Sequence, residues 1–150
     1  MFSILLLFIL YNPNQTCSRT IMATNVFDFG SLVTDHHAFT KWLKDQKLIK
    51  SEVACPECCS PMKEVSGKRL WICSKRAQHP SGKVSKESQL KNSLFEGARA
   101  SPEHIMKIGY CFSLKLTYTQ TVEQTTATRQ TIAKWFNIFR EVCMEKLRQV

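Results

Sequence analysis

Cys55-Pro56-Glu57-Cys58, fourteen further residues, Cys73, five more and then His79 form a pattern with metal-ligand spacing. Two cysteines separated by two residues make a tight knuckle that points both sulfurs at one spot. A Cys and a His a hairpin's length later can close a tetrahedron around zinc. The first pair carries the stronger half of the signal. Cys-x5-His is a looser spacing, and Cys59 competes with His79 for the fourth position. The bland alternative is a set of ordinary reduced thiols in a small core, with His79 a solvated loop residue ahead of Pro80. Cys111 and Cys143 fit that alternative, because each sits in an apolar, helical run where Cys acts as a small hydrophobe. For the quartet, the knuckle and the hairpin between the pairs both favour zinc. A closed four-ligand centre leaves no position for a catalytic water, so the metal's expected role is structural.

The elements that must position these ligands are short. Met62 to Val65 and Arg69 to Ile72 have strand length, and Ser66-Gly67-Lys68 between them supplies a turn in which Gly67 can take positive φ. A third strand is expected within Val84 to Phe95, after the turn Pro80-Ser81-Gly82-Lys83. Ahead of this zinc ribbon, Asp35 to Ile49 reads as a helix with Phe39, Trp42 and Leu43 on one face and Thr34 or Asp35 as its cap. It is expected to lie against the ribbon and to carry no chemistry, with His36 and His37 in solvent.

The 150 residues hold 21 basic and 12 acidic side chains, a formal charge of +9 that is unevenly placed. Residues 1–40 contribute Arg19, Asp28 and Asp35, and the remaining charges all follow. A basic excess of this size attracts polyanions and says little about fold. Nucleic acid is the first candidate partner and an anionic membrane surface the second. The odd number of cysteines, seven, and their spacing argue for a metal site in a reducing compartment rather than a disulfide framework. Phe2 to Tyr11 resembles the apolar core of a signal peptide, but no Lys or Arg precedes it and no small-x-small cleavage pattern follows. It is also short of the roughly 20 residues that cross a bilayer. Met22 opens an alternative start. Residues 1–21 are therefore expected to be an upstream extension outside the folded unit, with residues 1–34 set apart from the ribbon unit that starts at Asp35 and secretion a minor alternative.

Beyond the linker Glu96 to Ala100, Ser101-Pro102-Glu103 is a helix start, with Ser as N-cap and Pro at the first helical position. That helix should run to about Lys115 on a stripe of Ile105, Ile108, Cys111 and Phe112. Tyr118 to Thr126 is a second helix of poor propensity that packing must hold. Thr128 caps a third, reaching about Arg148, with Ile132, Trp135, Phe136, Phe139, Val142, Cys143 and Leu147 as its apolar stripe. A short helix, a turn and a longer helix read as helix-turn-helix, which would bring Arg129, Gln130, Thr131 and Lys134 to the bases of a major groove. Arg and Gln can pair bidentately with guanine and adenine edges. Lys75, Arg76, Lys83, Lys86 and Lys91 on the ribbon would hold phosphates. The expected class is α+β, a small zinc-ribbon β unit over residues 35–97 with its N-terminal helix, then a three-helix helix-turn-helix bundle over residues 98–150. A plain three-helix bundle with a polar helix start is the competing reading.

The order of these pieces resembles the amino-terminal part of Merlin-type cut-and-paste DNA transposases and their bacterial insertion-sequence relatives. The matching residues are Leu48-Ile49, Cys55-Pro56-x-Cys58, Trp71-x-Cys73, Ser93-Leu94-Phe95-Glu96-Gly97, Thr131-Ile132-x-x-Trp135-Phe136 and Phe139-Arg140-Glu141-Val142-Cys143, within residues 35–147. The resemblance implies a zinc ribbon and helix-turn-helix ahead of a ribonuclease H-like catalytic domain with an acidic metal-binding triad. Two departures stand out. The family usually supplies a fourth Cys where this chain has His79, and the sequence ends at Val150, where the catalytic domain would begin. Glu103, Glu123, Glu141 and Glu145 all fall in predicted helices and are better explained as surface charges than as a two-metal site.

The resulting expectation is a zinc-stabilised module that binds double-stranded DNA, as a monomer or a homodimer, in the nucleus, with no membrane partner and no enzymatic activity of its own. No Ser/His/Asp order, Walker loop, GxGxxG or HExxH stands out. A zinc-dependent protein-interaction module, or a non-functional transposon-derived fragment, is the alternative.

Overall fold

The structure is a computed structural model and describes residues 26–65 and 67–148. The apolar run Phe2 to Tyr11, Met22 and Ser66 lie outside the described residues. The fold is mixed α+β, with five α-helices and one three-stranded antiparallel sheet among the described residues. The chain divides into two compact units. One spans Asp35–Ala98, and the other joins Arg99 onward with the segment before Asp35.

The first unit opens with helix α2 (His36–Asp45), which follows α1 (Val26–Thr34) in the chain. Asp35 caps α2, its carboxylate accepting from the backbone N–H groups of His37 at 2.9 Å and Ala38 at 3.1 Å. Those two donors hold the Asp35 carboxyl below its ordinary range. The helix ends four residues before the expected Ile49. Gln46 caps it and Lys47 turns to a φ of 55°. Leu48 and Ile49 are still buried, as are Phe39 and Leu43 of the helix, so the apolar spacing is a packing signal that runs past the helix end.

Strands β1 (Lys63–Val65), β2 (Leu70–Cys73) and β3 (Ser85–Ser88) follow, in the order β1-β2-β3. Lys63 pairs with Ile72, and Cys73 with Ser85. The β1–β2 turn uses positive φ at Gly67 (74°) and again at Arg69 (39°), so β2 begins one residue later than its apolar run suggests. Helix α2 is tied to this sheet. The Lys44 ammonium pairs with Glu64 at 2.5 Å and sits 5.4 Å from the Trp71 ring centroid, and the Arg69 guanidinium lies 5.8 Å from the Phe39 ring.

In the second unit, α3 (Pro102–Ser113), α4 (Tyr118–Thr125) and α5 (Arg129–Arg148) pack on one another. Ser101 caps α3, accepting from the His104 N–H at 3.3 Å. Helix α4 has better local support than its threonines suggest. Thr117 and Gln120 form a reciprocal capping box, which satisfies two otherwise orphaned N–H groups. Ile105, Ile108, Ile132, Trp135, Phe136 and Phe139 are buried between the helices. Phe112 meets Phe136 edge-on at 5.2 Å between ring centroids. Val142 and Cys143 are half-buried, and the side chain of Leu147 lies outside the described residues. Composition sets residues 1–34 apart from the folded part, but residues 26–34 belong to it. They form α1, which packs on α3 in this unit, with Phe29 stacked on Tyr110 at 4.6 Å.

Thr126, directly after α4, takes a left-handed conformation with φ 56° and ψ 12°. For a β-branched residue this is a strained backbone. Thr126→Asn, which tolerates that region, should raise the stability of the protein by about 1 kcal/mol, read as the urea midpoint. In the first unit, the Lys44 ammonium, then the Gln89 amide, hold the Glu64 carboxyl below its ordinary 4.5. A lowered folded value means this contribution is complete above pH 4.5 and disappears as the pH falls through the folded value. Glu64→Gln should therefore make the acid limb of a pH–stability profile shallower in that window.

Candidate metal centre

The knuckle is built by backbone hydrogen bonds around residues 53–62. The Cys55 N–H donates to the Ser60 carbonyl at 2.8 Å, the Cys59 N–H to the Cys55 carbonyl at 2.8 Å, and the Met62 N–H to the Val53 carbonyl at 2.9 Å. Pro56 and Glu57 span the turn, and Cys59 closes it at a φ of 55°. Cys73 is the last residue of β2. A single 3-10 turn, Arg76–Gln78, then brings His79 back over the strand end. The next turn, with Gly82 at φ 63°, leads into β3.

These elements converge four donors. The Sγ atoms of Cys55, Cys58 and Cys73 and a ring nitrogen of His79 all lie within 4.8 Å of one another. Cys55 Sγ is 3.4 Å from His79 Nε2, and Cys58 Sγ is 3.7 Å from Cys73 Sγ. Tetrahedral coordination with metal–sulfur bonds of about 2.3 Å places two sulfurs about 3.8 Å apart, so the spacing fits one metal ion. Cys59 is exposed and is not among the four, which leaves His79 as the fourth donor. Lys83 fixes the tautomer. His79 Nδ1 donates to its carbonyl at 2.5 Å, so Nε2 keeps its lone pair toward the sulfurs.

Glu57 supports the same geometry by bridging the knuckle to the loop after His79. Its carboxylate accepts from the Ser81 hydroxyl at 2.6 Å and the Ser81 N–H at 3.3 Å, and these contacts hold its carboxyl below the usual range. Neither Glu57 nor the Lys83 carbonyl stands out in the sequence. A glutamate inside a Cys-x-x-Cys loop reads as solvent-facing, and a main-chain acceptor leaves no mark in residue type.

The thiols differ in acidity. The Ser60 N–H, then its hydroxyl, lower Cys58 to about 6. Burial opposes ionisation of Cys55, but the N–H groups of Glu57 and Cys58 and the Ser85 hydroxyl outweigh it and bring that thiol down. The Lys75 N–H favours the Cys73 thiolate, yet burial and the neighbouring Cys58 and Cys55 sulfurs together push that thiol up. Negative charge is favoured at the knuckle sulfurs and opposed at the third. This is the electrostatic demand that a divalent metal meets. On the other side, Cys55 and Cys73 pack with Met62 and Trp71 in an apolar cluster.

The remaining candidates are more dispersed. Lys75, Arg76 and Lys83 are exposed, as are Lys86 and, by its side chain, Lys91. Lys75 Nζ donates to the Ser60 hydroxyl at 3.1 Å, and Lys91 pairs with Glu87 at 3.3 Å. In the other unit, Arg129, Gln130 and Lys134 are exposed at the start of α5. Thr131 is half-buried, its hydroxyl 2.9 Å from that of the cap residue Thr128. Among the described residues no helix is long and apolar enough to cross a membrane.

Cys58→Ser should remove the metal. Bound metal measured by atomic emission on the purified protein is expected to fall from about one ion per chain to near zero, with loss of Trp71 burial in the fluorescence spectrum. Unchanged metal content would refute the assignment. No protein-family model matches the chain, and no curated protein or solved structure gives a significant match.

Proposed function

We propose that this chain is a zinc-stabilised DNA-binding module, a zinc ribbon and a helix-turn-helix of the kind that precedes the catalytic domain in Merlin-type transposases. The donor set favours zinc, since three thiols and one imidazole suit a tetrahedral d10 ion. One observation carries the DNA reading. A corner of three residues, Thr126 to Thr128, joins α4 to α5 and leaves Arg129 and Gln130 exposed at the N-terminal end of the longer helix. That is the arrangement in which a recognition helix presents its first turn to base edges. The charge distribution is consistent with it. Residues 99–150 carry eight basic and four acidic side chains, and residues 35–98 carry twelve and seven.

In this reading Arg129, Gln130 and Lys134 contact bases, Thr131 helps to order the helix start, and basic residues of the metal-bearing unit contact phosphates. The compartment implied is the nucleus. The module itself performs no chemistry on DNA.

Arg129→Lys keeps the charge and removes bidentate pairing. Selection from a random duplex pool should show relaxed preference at one base pair, worth about 1–3 kcal/mol of discrimination, with little loss of bulk affinity. An equal loss on all sequences would reassign Arg129 to a phosphate. No binding of the full-length protein to any duplex at low salt would favour a protein-interaction module instead.

A further inference from the structure

Helix α2, to which its sequence assigns no chemistry, borders two clefts on the metal-bearing unit. The first, of about 350 Å³, is lined by His36, His37, Thr40, Lys41, Lys44 and Arg69, with Glu64 and Gln89 at its side. The second, of about 290 Å³, is lined by Lys44, Lys47, Lys50 and Lys91, together with Ser51 and Asn92. Lys44 belongs to both. Lys41 and Lys44 of α2 line the first hollow, and Lys44 with Lys47 and Lys50 of the turn after it line the second, so four ammonium groups border the two. Among the described residues Glu64 is the one acidic side chain lining either cleft, and Lys44 and the Gln89 amide already engage it.

Charge alone would fit a solvated helix face. A second observation goes beyond it. Thr40, 7% exposed, lines the first cleft, and its hydroxyl has no hydrogen-bond partner among the described residues. Buried polar atoms without partners are costly in a packed unit. Beside a row of ammonium groups, an unpaired hydroxyl is a natural donor to an anionic oxygen.

We propose that the two clefts form one track for the phosphodiester backbone of a nucleic acid, running along α2 and sharing Lys44. This rests on the DNA-binding reading above and locates its phosphate contacts. Lys91 belongs to the track. Lys75, Arg76, Lys83 and Lys86, the cations that sequence spacing favours, line neither cleft. A lipid surface fits less well. Among the described residues the exposed large apolar side chains are Leu114 and Met144, both in the other unit, whereas peripheral membrane contacts insert apolar residues next to their lysines.

The test uses the metal-loaded full chain and a fluorescent duplex of mixed sequence, titrated at several salt concentrations. Lys41→Ala, Lys47→Ala and Lys50→Ala are combined in one variant. Lys63→Ala, Lys68→Ala and Lys107→Ala, exposed and lining neither cleft, form the control, and circular dichroism and metal content verify the folding of both. The track variant should lower the slope of log affinity against log salt by about 2.7, near 0.9 for each phosphate that is no longer neutralised, while the control leaves it unchanged. An unchanged slope in the track variant, or an equal drop in the control, overturns the track and leaves the DNA reading standing. Failure of the wild-type chain to bind the duplex at low salt overturns both. Capture on phosphatidylserine vesicles in that case would assign the lysine row to a membrane surface.

Discussion

Three sulfurs and one imidazole nitrogen are brought within 4.8 Å of one another, and residues 35–98 are arranged around that cluster. Two sulfurs at 3.7 Å cannot both carry charge cheaply, and the opposed acidities of Cys58 and Cys73 express this. A divalent ion converts that mutual penalty into binding free energy. The sheet that carries the cluster is small: its strands are three or four residues long, and two of the four residues in the apolar cluster under it, Cys55 and Cys73, belong to the candidate metal site. A sheet of this size with so small a core is marginal without a staple.

The consequences spread outward in order. The metal would fix the end of β2 and the start of β3. The sheet so fixed presents Trp71, Glu64 and Arg69 to α2, which docks through Lys44 and Phe39. The lysine row and the clefts beside it exist only while α2 is held there. The knuckle's own contacts serve the same end. Glu57 commits its carboxylate to Ser81, and Lys83 gives its carbonyl to His79. Two residues that look like surface charges in the sequence therefore act as braces for the centre.

Much of this is legible from residue spacing because the relevant constraints are local. The Cys-x-x-Cys knuckle, the Ser101-Pro102 helix start and the helices of residues 102–148 each depend on a few consecutive residues, and the structure has them close to where the spacing puts them. The end of α2 is not legible, because Leu48 and Ile49 keep helical apolar spacing while the backbone has already turned at Lys47. Period reports burial, and burial continues through a well-packed loop. The packing of α1 on α3 is hidden because it depends on Phe29 and Tyr110, eighty-one positions apart, which no local pattern links. The clefts are hidden for the same reason. Lys41 and Lys44 read as a solvated helix face until Arg69 and Gln89 arrive from the sheet side.

The corner before α5 shows how weak local preferences are made to agree. Helix α4 is short and rich in threonine, and two of those threonines, Thr121 and Thr125, are buried with their hydroxyls turned back to carbonyls four residues earlier. That bonding hides the hydroxyls but does little to favour a helix. The capping box at one end and the left-handed Thr126 at the other then limit α4 to eight residues. Tyr118, its first residue, faces Phe136 of α5 at 5.3 Å. The same ring receives the Arg129 guanidinium at 6.0 Å, and its hydroxyl accepts from Arg140 at 3.4 Å. Two arginines about three turns apart on α5 are thus drawn toward one aromatic group, and the first of them lies at the helix end whose unpaired N–H groups already favour anions. The Tyr118 ring restrains both arginines, so an anion bound there would cost less side-chain entropy than with a freely rotating arginine.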